Sequence, residues 1–191
     1  MQRIGIFGGS FDPVHLGHLL VAQAAREELN LDRLFFVPAA QSPFKPDSRP
    51  TSARERMAML RLALAGVPWC EVDEQEIQRG GISYSIDTVR EYVRRFAGAR
   101  VFYLIGADNV VALTKWRDAN ELARLAEFVV IPRPGEPTTP FPAPFRGQLL
   151  SGFPFGVSSS QIRNRVRAGL SIHHLVPSGV AERIANNRLY L

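Results

Sequence analysis

"RIGIFGGSFDPVHLGH", residues 3–18, passes from a β-branched and aromatic run through two glycines and an Asp-Pro turn to histidines three residues apart. Ile4–Phe7 reads as a short strand ending at Gly8-Gly9, and a helix of roughly residues 17–29 follows, with Leu20, Ala24 and Ala25 on one face. A strand, a glycine bend and a helix in direct succession are the opening unit of an α/β sheet.

The rest of the chain keeps this alternation. "LFFVP" (34–38), "VFYLI" (101–105) and "EFVVIP" (127–132) are continuous apolar runs, as expected of strands covered on both faces. "CEV" (70–72) is a further short strand candidate. Ser52-Ala-Arg-Glu55 fits a capping box ahead of Met57, Leu60 and Leu64, and Gly66 and Pro68 stop that helix. Ile86, Val89, Val93 and Phe96 recur at helical spacing up to Gly98. Two short C-terminal helices, roughly 159–167 and 178–187, flank "GLSIHHLVP". The proline-rich stretches 38–50 and 132–147 cannot be regular elements. Strands alternating with helices predict a doubly wound α/β domain with a parallel sheet and right-handed crossovers, formed as one unit over residues 1–191.

Composition narrows the class. The chain of 191 residues is 46% hydrophobic and 21% charged, the balance of an ordinary soluble domain. No apolar run approaches the ~18 residues that cross a membrane, and the first strand leaves no room for a signal peptide ahead of it. One cysteine, Cys70, excludes an internal disulfide and points to a reducing cytoplasm. The net charge is +5, and only Lys45 and Lys115 of the 23 basic residues are lysines. Arginine forks suit phosphate, so an anionic partner and a solvated basic surface are both consistent with this excess.

His15 and His18 could hold a metal, relay a proton or bind phosphate. Zinc needs further ligands, and Cys70 and His173-His174 lie remote with no recognisable spacing. The glycines allow close backbone approach, and the following helix start presents unpaired N–H groups and partial positive charge. Both imidazoles lie on about the same helix face, so they can meet one anion, although one of them could merely cap or pack. Neither Gly-x-x-x-x-Gly-Lys-Ser/Thr nor Gly-x-Gly-x-x-Gly is present, which argues against a P-loop NTPase and a dinucleotide-dependent dehydrogenase.

"GIFGGSFDPVHLGHL" (5–19) resembles the nucleotidyltransferase motif with its His-x-x-His pair, and "SSSQIRNRVRAG" (158–169) resembles the Ser-Ser/Thr-x-x-Ile-Arg segment of that superfamily. "SYSIDT" (83–88), "LIGADNVVALTKW" (104–116), "IPRPG" (131–135) and "GLSIHHLVPSGVAERI" (169–184) are similar to bacterial nicotinate-mononucleotide adenylyltransferases. Two departures stand out. Ser85 replaces the usual threonine and keeps a hydroxyl, while Phe44 replaces a histidine and loses a ring nitrogen.

The resemblance implies a Rossmann-like sheet with a small C-terminal helical portion. It implies adenylyl transfer from ATP to nicotinate mononucleotide, with Mg²⁺ bridging the ATP phosphates. His15 and His18 would donate to those phosphates, His18 at the α-phosphate, and Arg163 would clamp the β- and γ-phosphates at a helix opened by Ser158 and Ser159. Gly8, Gly9, Ser10, Phe11, Gly106 and Asp108 complete the ATP side by resemblance. Ser10 and Lys45 fall to the mononucleotide phosphate, with Tyr84, Ser85, Thr88 and Trp116 around the ring and Arg133 also on the acceptor side. Read without the resemblance, Asp108 could be a helix cap, Trp116 a core residue, and Arg163 a surface arginine. A phosphopantetheine adenylyltransferase shares the first motif, but "SYSIDT" and the Trp116 segment argue against it. A nucleic-acid binder would need basic residues interleaved with exposed aromatics, whereas these arginines are dispersed. No membrane partner is expected, and self-association stays open.

Overall fold

The computed structural model describes residues 1–43, 50–131, 139–153 and 155–191. Its centre is a six-stranded, wholly parallel sheet in the order β3-β2-β1-β4-β5-β6. Chain order is β1 (Arg3–Gly9), α1 (Leu16–Glu28), β2 (Arg33–Pro38), α2 (Ala53–Ala63), β3 (Cys70–Val72), α3 (Gln75–Arg79), α4 (Ser85–Arg95) and β4 (Arg100–Gly106). A 3-10 helix (Ala107–Lys115), α5 (Ala119–Leu125), β5 (Glu127–Ile131), β6 (Gly147–Leu149), α6 (Ser159–Arg167) and α7 (Ser178–Asn186) complete it. This is the doubly wound parallel sheet expected from the apolar runs, in the Rossmann-like form that the resemblance implies.

The central strands are apolar on both faces because both faces are covered. Ile4, Phe35, Val37, Tyr103 and Phe128 pack on the side of α4, and Phe7, Leu34, Phe36 and Leu104 pack on the side of α1 and α2. The strand order reverses direction between β1 and β4, so a crevice opens beyond their carboxyl ends, at Gly9 and Gly106. In open α/β sheets ligands bind at this switch point.

Some local expectations are revised. The Ser52 hydroxyl accepts from the Glu55 N–H at 3.3 Å, but the Glu55 carboxylate bonds Arg183 and Asn187 instead of closing a reciprocal box. That exchange ties α2 to α7. Helix α1 buries Ala22, Ala24 and Ala25, while Leu20 is only half-buried. Three elements have no counterpart in the sequence reading: α3, α5 and β6. They span five, seven and three residues, and β6 is exposed throughout, while the helix that Asp108 could have capped is the 3-10 helix.

Candidate functional site

β1 leaves the sheet at Gly8-Gly9, and each missing side chain makes room for a protein group. A Cβ at Gly8 would lie 2.9 Å from the Tyr103 hydroxyl, and one at Gly9 would lie 3.1 Å from the Phe11 ring. The space beside each glycine is thus taken by a protein group, a packing role that the sequence reading did not name. Phe11 adopts a left-handed φ of 48°, a conformation costly for a bulky residue. Burial of its ring against Phe7, Phe36 and His18 offsets that cost.

The chain then turns through Asp12-Pro13 into α1. His15 is the N-cap residue, and His18 stands three positions on. The two rings stack with centroids 3.7 Å apart. The His15 N–H donates to His18 Nδ1 at 3.2 Å, so Nδ1 is the unprotonated nitrogen and Nε2 carries the proton. The pair is therefore a helix cap and a poised donor together. Gly17 matters here: a Cβ at that position would lie 3.0 Å from His15 Nδ1.

The C-terminal motif meets the same turn. Arg163 Nη1 donates to the Asp12 carbonyl at 2.7 Å, and Ser159 Oγ donates to the Pro13 carbonyl at 2.9 Å. Ser158 and Gln161 close a reciprocal capping box at the start of α6. The N-termini of α1 and α6 thus converge on one turn, and neither first turn contains an acidic residue. Two helix dipoles, imidazole N–H groups and a guanidinium aimed at one region favour a polyanion such as a triphosphate.

Sequence reasoning missed what holds the turn in place. Asp12 is buried and accepts from the Thr51 N–H at 3.1 Å and the Tyr190 hydroxyl at 2.7 Å. Arg56, only 2% exposed, donates to the Ser10 carbonyl at 2.8 Å and the Thr51 carbonyl at 3.0 Å. Burial pulls the Arg56 guanidinium below its ordinary range, with Asp12 opposing that shift. These residues carried little sequence signal, because an arginine in an amphipathic helix reads as surface. Ser10 therefore sits over a buried cation through its carbonyl.

On the other side of β1, α4 begins with Tyr84 as N-cap and Ser85 as its first residue. The Tyr103 hydroxyl donates to Ser85 Oγ at 2.9 Å. Trp116 stands edge-on to Tyr103 and Phe128 and is half-buried, so part of its ring joins the apolar packing and part meets solvent. The Arg117 guanidinium lies 4.7 Å from the Tyr84 ring centroid, a cation that the sequence reading did not single out. Thr88 is fully buried, and its hydroxyl is held between Glu76 and Arg79, so it braces α4 from behind and does not line the crevice. Ser83 accepts from the Ala40 N–H, and its own N–H donates to the Gln41 carbonyl, which stitches the chain after β2 to the start of α4.

At the end of β4, Gly106 is the N-cap of the 3-10 helix and Asp108 lies exposed in its first turn, so Asp108 is not the cap. A Cβ at Gly106 would fall 2.5 Å from Asp108 Oδ1; the glycine lets that carboxylate fold back over the strand end. Lys45 and Arg133 lie outside the described residues. Among the described residues, no group of three or more His, Cys, Asp or Glu side chains is arranged to hold a metal ion. No described helix is long and apolar enough to cross a membrane. Burial pushes the Cys70 thiol up to about 12, which leaves it inert.

The cytidylyltransferase-like family model matches residues 6–165. A protein of Gemmatimonas aurantiaca named "Probable nicotinate-nucleotide adenylyltransferase" is 44% identical over 99% of this chain and 92% of its own length. The chain belongs to the nicotinate-nucleotide adenylyltransferase family. Relatives of the same name from Opitutus terrae and Thermus thermophilus are each 41% identical, covering 99% of this chain and 98% and 100% of themselves. The structure of a Plasmodium falciparum nicotinic acid mononucleotide adenylyltransferase, complexed with NaAD, superposes with a TM-score of 0.83 over 100% of this chain and 98% of that one. At 17% identity that likeness speaks for the fold. As a family member the chain is a nucleotidyltransferase enzyme of NAD biosynthesis.

Proposed function

We propose that this chain transfers the adenylyl group of ATP to the phosphate of nicotinate mononucleotide, giving nicotinate adenine dinucleotide and pyrophosphate. The observation that carries the reading is the convergence of the His15–His18 pair and Arg163 on the Asp12-Pro13 turn. A phosphate oxygen of the mononucleotide bonds the α-phosphorus of ATP, and the bond from that phosphorus to the bridging oxygen of the β-phosphate breaks. The acceptor phosphate has a second pKa of about 6, so it is mostly dianionic at neutral pH and needs no protein base. Catalysis then consists of alignment and of neutralising charge on the α-phosphate and the leaving pyrophosphate.

His18 Nε2–H donates to the α-phosphate, and His15 supports that ring by stacking on it. Arg163 and the α6 N-terminus take the β- and γ-phosphates, with Gly8, Gly9, Ser10, Phe11, Gly106 and Asp108 shaping the rest of the ATP side. A divalent cation, Mg²⁺ in this reading, enters with ATP as part of the substrate and neutralises triphosphate charge. Ser10 and Lys45 are assigned to binding the mononucleotide phosphate. Tyr84, Ser85 and Trp116 surround the nicotinate ring, with Thr88 as a brace and Arg133 assigned to the acceptor.

The basic surface does not favour a nucleic-acid partner, since many arginines are engaged by carboxylates. Examples are Arg90 with Asp118 and Glu121, Arg95 with Asp73, and Arg100 with Glu127. A lone, buried thiol suits work in a reducing cytoplasm. Pyrophosphate release with ATP and Mg²⁺ tests the reading, comparing nicotinate mononucleotide, nicotinamide mononucleotide and phosphopantetheine as acceptors. Fastest turnover is expected with the first; turnover confined to phosphopantetheine would overturn the proposal.

A further inference from the structure

Tyr103 belongs to β4, and nothing in the reaction described above uses it. Its ring is buried against Trp116 and Phe128, and its hydroxyl reaches the crevice end of the sheet. There the hydroxyl fills the space beside Gly8 and donates to Ser85 Oγ. We infer that Tyr103 is a positioning residue for the acceptor: it fixes the Ser85 hydroxyl as a hydrogen-bond donor and so favours a ring bearing a carboxylate over one bearing a carboxamide.

The argument runs through one proton. A phenol is a stronger acid than an aliphatic alcohol, so in a Tyr–Ser pair the tyrosine donates and the serine oxygen accepts. With Tyr103 occupying one lone pair, the Ser85 proton is directed away from Tyr103 and is committed to no other described residue. Burial first, and the Glu76 charge second, push the Tyr103 phenol well above its ordinary range, so it keeps its proton at any working pH. Ser85 therefore meets the acceptor as a donor. A carboxylate accepts at both oxygens and makes a charge-assisted bond. A carboxamide accepts at its one oxygen only and carries no net charge, so the same donor makes a weaker, neutral bond to it.

The same contact explains why residue 8 is glycine. Any side chain there would displace the Tyr103 hydroxyl, which stands 2.9 Å from the Cβ position. The end of β1 and the start of α4 are thus registered through a single oxygen.

This inference rests on the proposed acceptor and is separable from it. Wild type, Tyr103→Phe, Ser85→Ala and the double variant are assayed for kcat/KM with nicotinate and nicotinamide mononucleotides. Tyr103→Phe keeps the ring packing and is expected to lower the acid-to-amide ratio about three- to tenfold, the span of one net hydrogen bond, with the KM for ATP unchanged. In the Ser85→Ala background the same change is expected to leave the ratio where Ser85→Ala put it. Equal losses with both acceptors, or an unchanged ratio in Tyr103→Phe, would overturn the assignment while the proposed function stands. Failure of the wild type to turn over either acceptor would remove both.

Discussion

Arg163 and Asp12 lie 151 positions apart in sequence, and the guanidinium of the first donates to the main-chain carbonyl of the second at 2.7 Å. That bond presents the remaining guanidinium donors beside the turn that leads into His15. Arg163→Lys keeps the charge but loses the planar fork, so it cannot hold the carbonyl and a phosphate together. Turnover is expected to fall about a hundredfold, with a raised KM for ATP and an unchanged KM for the acceptor, read by steady-state kinetics.

Gly17→Ala separates activity from stability. Alanine is the better helix former by up to about 1 kcal/mol, so the thermal midpoint should hold or rise. The new Cβ would sit 3.0 Å from His15 Nδ1 and 3.1 Å from its Cε1, which moves the ring off His18. Turnover is expected to drop about tenfold or more. His18→Ala, which removes the donor itself, should cost about 10²–10³.

Arg56→Leu tests the buried support of the turn. The variant leaves the Ser10 and Thr51 carbonyls without this donor and strips the nearby Asp12 carboxylate of its cation. A loss of about 3 kcal/mol in unfolding free energy is expected from urea titration. An unchanged midpoint would show that the guanidinium is dispensable.

The Glu55–Arg183 pair sets an acid limit on the docking of α7. The hydrogen bond from Arg183, opposed by burial and aided by Asn187, holds the Glu55 carboxyl below its ordinary 4.5. A carboxyl depressed in the folded state binds protons more readily when unfolded. Its contribution is therefore complete above pH 4.5 and fades as the pH falls below that value. In Glu55→Gln, the loss of stability between neutral and acidic pH should be smaller than in wild type, as measured by urea midpoints.

Trp116→Leu removes a flat face from the acceptor side while keeping apolar contact with Tyr103 and Phe128. The KM for nicotinate mononucleotide is expected to rise about three- to tenfold with the KM for ATP unaffected. A rise in both would mean that Trp116 serves the sheet more than the ligand.

The apolar runs 34–38, 101–105 and 127–132 correspond to β2, β4 and β5 because a doubly covered strand must be apolar throughout. Helix α6 has the bounds read from its sequence, since Ser158 and Gln161 cap it with local side chains. The elements that escaped notice carry no such imprint. Helix α3 spans five residues, too few for a hydrophobic period, and β6 pairs through its backbone with every side chain exposed.

By itself the sequence determined the long strands and helices, the local caps at the start of α6 and the family, all of which depend on neighbours within a few residues or on motif spacing. Only the tertiary structure decided which groups face one another. It put Asp12 and Arg56 beneath the first motif, set Thr88 behind α4 and not in the crevice, and brought the Tyr103 hydroxyl between Gly8 and Ser85. Periodicity records which side of an element avoids water. It carries no record of the distant partner that side will meet, because that choice is made by packing the whole sheet at once.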